Sequence, residues 1–174
     1  MIDYKKYITE VPGFPNKGVN FKDISPLLSD SNIFKEVIYK MAYKVNSAPD
    51  YWIGIDARGF LFASALTMVR GGGAVMCRKA GKLPRPTANY SYQTEYSSDE
   101  LSMHFGSGTA VIVDDVLATG GTLQAVNHLA GMAGYDVIDN LVLIDLLYVT
   151  KVITSMGDGA REFDLKVRSL IQYE

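Results

Sequence analysis

The sequence predicts an α/β fold, a parallel sheet flanked by helices, on two observations. Short apolar runs rich in Val, Ile or Leu lie at 51–55, 74–77, 110–113 and 141–144, each too short for a stable helix and suited to a strand buried on both faces. Stretches with helical spacing alternate with them, and the order strand, helix, strand, helix implies parallel pairing through right-handed crossovers. No repeat, low-complexity tract or Pro/Gly/Ser-rich linker divides the chain. Residues 1–174 are therefore expected to form one domain, for whose core the 48% hydrophobic composition supplies the material.

The elements follow in order. Residues 11–26 carry three prolines and two glycines, which argues for a small N-terminal cap, a hood of about residues 1–28, over the sheet's edge. Ile33, Val37, Met41 and Val45 then recur at four-residue spacing beside Phe34, Ile38 and Ala42, giving the apolar stripe of an amphipathic helix. Asp30 or Ser31 is its expected cap. After the strand at 51–55 come a helical stretch at 59–69 and the strand at 74–77, where Cys77 is read as buried. From 80 to 106 the chain turns polar and aromatic, with Pro84, Pro86 and little helical period. That is long for a loop in a compact domain and marks a flexible functional flap. The strand at 110–113 leads to a helix at 122–133, whose Leu123, Val126, Leu129 and Ala133 share a face, and the strand at 141–144 closes the series. Met41, Met68 and Met132 are read as core filler, and His104 and His128, without companions, are given no role.

Charge and composition exclude several functions. Lys and Arg number 17 against 19 Asp and Glu, a formal net charge of -2, so the chain lacks the general basic field by which a nucleic-acid binder collects phosphates. Any polyanion site has to be local. One cysteine and two histidines form neither an internal disulfide nor a zinc site of the usual ligand spacing. The first residues, MIDYKKYITE, lack the apolar run of a signal peptide, and no window is long enough to span a bilayer. A cytoplasmic protein without nucleic-acid or membrane partners is the expectation.

The chemistry concentrates in VIVDDVLATGGT at 111–122. A strand ends in Asp114 and Asp115, passes Val116, Ala118 and Thr119 to a turn at Gly120 and Gly121, and enters a helix at Thr122. At the carboxyl end of a parallel strand, such a turn exposes successive backbone N–H groups, and the helix N-terminus adds partial positive charge, so a phosphate can sit there. The glycines let the backbone approach it closely. Thr119 and Thr122 can donate hydroxyl hydrogen bonds to the same oxygens, while Asp114 and Asp115 stand where two ribose hydroxyls, or a magnesium ion bridging them, need acceptors. The string is not a Walker motif, since no GK[ST] follows. Asp56, Ala57, Arg58 and Gly59 form a second strand-to-helix turn with converging N–H groups, which fits pyrophosphate. Arg78, Lys79 and Lys82 place three positive charges just after a strand, where a leaving group with several negative charges needs compensation.

The 111–122 string resembles the phosphoribosyl pyrophosphate signature of the type I phosphoribosyltransferases, and ATGGT resembles the form found in the adenine-specific members. FPNKGVNFKDISP at 14–26 is similar to that family's base-binding segment, and GIDARGFLF at 54–62 to its pyrophosphate loop. RKAGKLP at 78–84, TEY at 94–96 and SLIQYE at 169–174 agree as well. The chain departs from the family at Lys22, where Arg is frequent, at Ser97, where Gly is frequent, and at Val116, where DDLLATGGT is commoner.

The resemblance implies a Rossmann-like sheet with hood and flap, a cis peptide between Asp56 and Ala57, a homodimer, and Mg2+ held mainly through substrate with Asp114 and Asp115 as candidate ligands. It implies catalysis by Glu95, Arg58, Asp114 and Asp115. Glu95 would accept from or protonate adenine near N7, with Tyr96 beside it. Adenine would lie between Phe21 and an apolar side chain such as Val116, its edge read by main-chain groups of Asn20 and Lys22. The expected reaction joins adenine to phosphoribosyl pyrophosphate, giving AMP and pyrophosphate through an oxocarbenium-like transition state. Two alternatives stand beside it: a 6-oxopurine transferase, and a non-catalytic purine-sensing regulator on the same fold, which would add a DNA-binding domain for which these residues leave no room.

Overall fold

The alternation of short apolar runs with helical stripes produces the expected order of elements. The computed structural model describes residues 2–93, 98–149 and 165–174. After a single turn of 3-10 helix at Tyr4–Tyr7 come strands β1 (Thr9–Pro12) and β2 (Asn20–Asp23), helices α1 (Ser25–Ser29) and α2 (Ser31–Ala42), strand β3 (Tyr51–Ile55), helix α3 (Gly59–Arg70) and strand β4 (Gly73–Lys79). Strands β5 (Ala88–Gln93), β6 (Ser98–Met103) and β7 (Gly108–Leu117), helix α4 (Gly121–Ala133), and strands β8 (Tyr135–Leu146) and β9 (Val167–Tyr173) complete it. Asp30 caps α2, its carboxylate accepting from the N–H groups of Asn32 and Ile33.

The main sheet has the order β5-β6-β4-β3-β7-β8-β9. Strands β4, β3, β7, β8 and β9 run parallel, while β6 pairs antiparallel with both β4 and β5. The fold is α/β with a parallel sheet flanked by helices, as the alternation predicts. One core layer packs α2 and α3 on the sheet through Val37, Met41, Phe62 and Leu66. The other packs α4 through Val126, Leu129 and Ala130 against Ile53, Ile112 and Val142. Burying each large side chain of this kind contributes roughly 1.5–3 kcal/mol. Among the described residues, no helix is long and apolar enough to cross a membrane.

Several expectations need correcting. The segment 80–106 is not a plain loop: β5 and β6 form an antiparallel hairpin that joins the sheet through Arg78 and Lys79 of β4. The strand at 74–77 is buried on one face only: Cys77 enters the α4 layer, but no residue of β4 belongs to the α2–α3 layer, and Met76 on that face is 46% exposed. Met41 is core, but Met68 and Met132 are 87% and 51% exposed, since both lie off the stripes that α3 and α4 turn to the sheet. Strand β9 and the short α1 carry too little period to be read from the sequence.

Two glycines set how closely α3 meets the sheet. A Cβ at Gly54 would stand 2.9 Å from the Gly59 carbonyl oxygen, and one at Gly59 would stand 2.6 Å from the Val113 carbonyl oxygen. Backbone therefore packs on backbone, and the start of α3 is drawn against β3 and β7.

Candidate functional site

That close approach places Arg58, immediately before α3, beside the acids of β7. Strand β7 does not stop at the acids as expected. It continues to Leu117 because β8 extends alongside it, pairing Asp114 with Val142, Val116 with Ile144 and Leu117 with Asp145. Both carboxylates are nevertheless drawn to the start of α3: a Cβ at Gly59 would stand 3.4 Å from Asp114 Oδ1, and Asp115 Oδ2 meets Arg58. Asp114 Oδ1 accepts from the Asp115 N–H at 2.9 Å, and Asp115 is 3% exposed. Burial, reinforced by the charge of Asp115, raises the Asp114 carboxyl well above the usual carboxylate range. Burial also raises Asp115, against the opposing charge of Arg58.

Arg58 Nε lies 2.9 Å from Asp115 Oδ2. That oxygen is buried and receives no aligned hydrogen bond, so the contact is one of charge. The same guanidinium stands 4.9 Å from the centroid of the Phe21 ring, which meets Phe14 edge-on at 5.2 Å. Hood strand, pyrophosphate-type turn and acidic strand thus meet at one arginine.

Past Leu117 the chain turns through Ala118 and Thr119 to Gly120, whose φ of 81° lies in the left-handed region open to glycine. Gly121 begins α4, and no side chain caps it, so its first N–H groups are free for a guest. A cavity of about 100 Å³ opens there, with Ala118, Thr119, Gly120, Thr122, Asp114 and Val116 among its walls. Asp115 and Gly121 are not among them.

The second turn has the cis peptide implied by the resemblance, between Asp56 and Ala57. The Asp56 N–H donates to the Cys77 carbonyl at 2.9 Å. Arg78 Nε lies 3.2 Å from Asp56 Oδ2, and an Arg78 terminal N–H donates to the Lys82 carbonyl at 3.3 Å. Asp56, Arg78 and Lys82 are thereby brought together, whereas the exposed Lys79 reaches out to Asp99 at 3.5 Å.

In the hood, Gly13 donates its N–H to the Val19 carbonyl at 2.7 Å. With Pro12 opposite Asn20, Val11 opposite Phe21 and Glu10 opposite Lys22, antiparallel alternation makes Asn20 and Lys22 members of non-hydrogen-bonded pairs. Their main-chain N–H and C=O groups point away from β1, toward whatever lies beyond the hairpin edge. Their side chains do something else. Lys22 Nζ donates to Glu10 Oε2 at 2.6 Å and sits 4.1 Å from the centroid of the Tyr173 ring, and Asn20 Nδ2 donates to the same Glu10 oxygen at 2.7 Å. These bonds hold the Glu10 carboxyl below its ordinary range, chiefly through Lys22. Lys22 therefore ties the hood to β9, and its ammonium is not free for substrate.

A family model for the phosphoribosyl transferase domain matches residues 27–148. The adenine phosphoribosyltransferase of Bdellovibrio bacteriovorus is 42% identical over 173 residues, covering 99% of this chain and 100% of that protein. The chain belongs to the adenine phosphoribosyltransferase family. That of Hydrogenovibrio crunogenus is 39% identical, covering 97% of this chain and 95% of its own. The crystal structure of the adenine phosphoribosyltransferase from Thermoanaerobacter pseudethanolicus superposes with a TM-score of 0.84 at 37% identity, over 97% of both chains. The Saccharomyces cerevisiae enzyme, crystallised with adenine and an imino-altritol bisphosphate, gives a TM-score of 0.80 at 28% identity, over 95% of this chain and 94% of that one. Membership makes the chain a pentosyltransferase.

Within this family member, Phe21, Arg58 and Asp115 meet directly, and Asp114, Val116, Ala118, Thr119, Gly120 and Thr122 share the wall of one cavity, whereas the side chains of Asn20 and Lys22 turn to Glu10. Glu95 and Tyr96 lie outside the described residues. The sequence reading missed Tyr92, whose hydroxyl is 3.3 Å from that of Thr122. The alternating tyrosines at 90 and 92 are the available signal, a period-2 pattern inside the segment read as a flap.

Proposed function

We propose that the chain transfers the 5-phosphoribosyl group from phosphoribosyl pyrophosphate to N9 of adenine, giving AMP and pyrophosphate for purine salvage in the cytoplasm. The observation that carries this reading is the cavity at 118–122, lined by free amides and two hydroxyls, beside paired acids and a second strand-to-helix turn on the adjoining strand.

On this reading Ala118, Thr119, Gly120, Gly121 and Thr122 hold the 5′-phosphate, Asp114 and Asp115 fix the ribose hydroxyls, and Asp56, Ala57 and Arg58 receive pyrophosphate. The anomeric carbon is then presented in one orientation. As the glycosidic bond opens ahead of bond formation, negative charge grows on pyrophosphate near Arg58 and Lys82, with Arg78 holding that turn together, while Lys79, turned to Asp99, stands outside it. The flap of about 80–106 keeps water from the sugar cation, and its Glu95, beside Tyr96, serves the base near N7.

Asp114, whose Oδ1 lies on the Asp115 N–H, and Asp115, whose Oδ2 lies on Arg58, are adjacent buried carboxylates of the kind that fits a cation usually held by one or two carboxylates plus substrate phosphates. These two residues would hold Mg2+ together with the substrate. When bound, Mg2+ neutralises charge on the pyrophosphate.

Phe21 and Val116 bracket the base, and the hood of about residues 1–28 offers it the outward main-chain groups of Asn20 and Lys22. An edge with fixed donors and acceptors suits adenine's amine and ring nitrogen, and a 6-oxopurine reverses that pattern and leaves buried groups unpaired. Leu61 and Met68, both exposed on one stripe of α3, support a homodimer that covers them. The test is competition for turnover with Mg2+ and phosphoribosyl pyrophosphate. Adenine should be consumed in preference to hypoxanthine, guanine and xanthine by more than a hundredfold. Equal consumption of a 6-oxopurine overturns the base assignment.

A further inference from the structure

Strand β5 lays alternate side chains along α4. Ala88 is buried, the Tyr90 ring stands 4.5 Å from the His128 ring, and the Tyr92 hydroxyl reaches the Thr122 hydroxyl at 3.3 Å. Ala88, Tyr90 and Tyr92 share one strand face by period-2 alternation. The flap strand therefore runs from the middle of α4 toward its N-terminus and meets the cavity wall from behind. Thr122 lines that cavity and Tyr92 does not.

A threonine hydroxyl has one proton and two lone pairs. At the second position of α4, Thr122 has no helical carbonyl four residues back to receive its proton. Among the described residues, its hydroxyl has the Tyr92 hydroxyl as hydrogen-bond partner. At 3.3 Å the pair is longer than an ordinary O–H···O bond, so both hydroxyls keep freedom to turn. An anion in the cavity accepts only. The arrangement that serves it has Tyr92 donating to Thr122 Oγ1 while Thr122 donates into the cavity, a two-bond chain in which each bond strengthens the other.

We propose that Tyr92 is a positioning residue for the 5′-phosphate, acting through Thr122, so that the flap strand takes part in sugar-phosphate recognition. This rests on the assignment of the 118–122 turn to the 5′-phosphate. The chemistry it serves is a phosphomonoester dianion, and the pyrophosphate end of the substrate is untouched by it.

The test is Tyr92→Phe, which keeps the ring packed on α4 and removes only the hydroxyl. The KM for phosphoribosyl pyrophosphate should rise about threefold to tenfold, with kcat within about twofold. Inhibition by ribose 5-phosphate should weaken by the same factor, and inhibition by pyrophosphate should not change. Tyr90→Phe, two residues earlier on the same face, should leave all of these as they are. In a Thr122→Val background, Tyr92→Phe should add nothing. Unchanged ribose 5-phosphate inhibition in Tyr92→Phe, an equal loss of pyrophosphate inhibition, or additivity with Thr122→Val each overturns the proposal. If Thr122→Val itself leaves ribose 5-phosphate inhibition intact, the phosphate assignment has failed and takes this proposal with it. If Thr122→Val weakens it and Tyr92→Phe does not, only the role of Tyr92 falls.

Discussion

Arg58 Nε stands 2.9 Å from Asp115 Oδ2, a carboxylate 95% shielded from solvent, while the arginine itself stays 39% exposed. The pair joins the turn after β3 to the acids of β7, and it opposes the upward pull that burial exerts on Asp115. Arg58→Ala should therefore let the Asp115 carboxyl rise further. A folded-state carboxyl raised above its unfolded value loses stability as pH rises through the gap between the two. The variant should be less stable than wild type at pH 7, by about 1 kcal/mol or less given the arginine's exposure, and equal to it near pH 4. Urea unfolding at the two pH values checks this.

Asp114 gives the complementary case. Its carboxyl is raised by burial and by the charge of Asp115, so the native state retains a proton that the unfolded chain has released, and stability declines from the usual carboxylate range up to the raised value. Asp114→Asn keeps an oxygen to accept the Asp115 N–H and removes the buried charge. We expect Tm at pH 7.5 to rise by about 2 °C or more, the gain to vanish near pH 4, and turnover to fall.

Asp115→Ala removes the acid assigned to the sugar. Turnover or affinity for phosphoribosyl pyrophosphate should drop more than tenfold, over about 1.4 kcal/mol. Steady-state kinetics that match wild type would remove Asp115 from the site.

The site also depends on the backbone contact at Gly59. Gly59→Ala puts a methyl 2.6 Å from the Val113 carbonyl, and the neighbour is main chain rather than a flexible side chain. A loss of roughly 1–3 kcal/mol is expected, with Arg58 displaced from Asp115 and activity falling further than stability alone accounts for.

Cys77 is fully buried in β4, and burial together with the charges of Asp114 and Asp56 pushes its thiol up to about 12. A thiol reagent at pH 8 should leave the folded protein unlabelled and react only as it unfolds in denaturant. Rapid labelling of the native state would contradict this placement.

The sheet and its site were legible in unequal measure. The strands at 51–55, 110–113 and 141–144 declare themselves because they are buried on both faces, and the turn at 118–122 declares itself because only glycine suits the backbone there. The β5–β6 hairpin stayed hidden: its face toward α4 is built of tyrosines that read as polar, and its pairing with β4 extends over two residues. Lys22 misled in another way. The sequence supplies a charge beside Phe21, but strand alternation carries that ammonium to Glu10 and Tyr173, on the opposite face. Met68 and Met132 misled because methionine composition says nothing about which side of a helix meets the sheet.

The most direct measurement is a crystal structure of the protein soaked with AMP. The account predicts the phosphate within hydrogen-bond distance of the Thr119 and Thr122 hydroxyls and the amides of 118–122, with the ribose hydroxyls at Asp114 and Asp115. A phosphate seated instead at Asp56, Ala57 and Arg58, with the 118–122 turn empty, would contradict it.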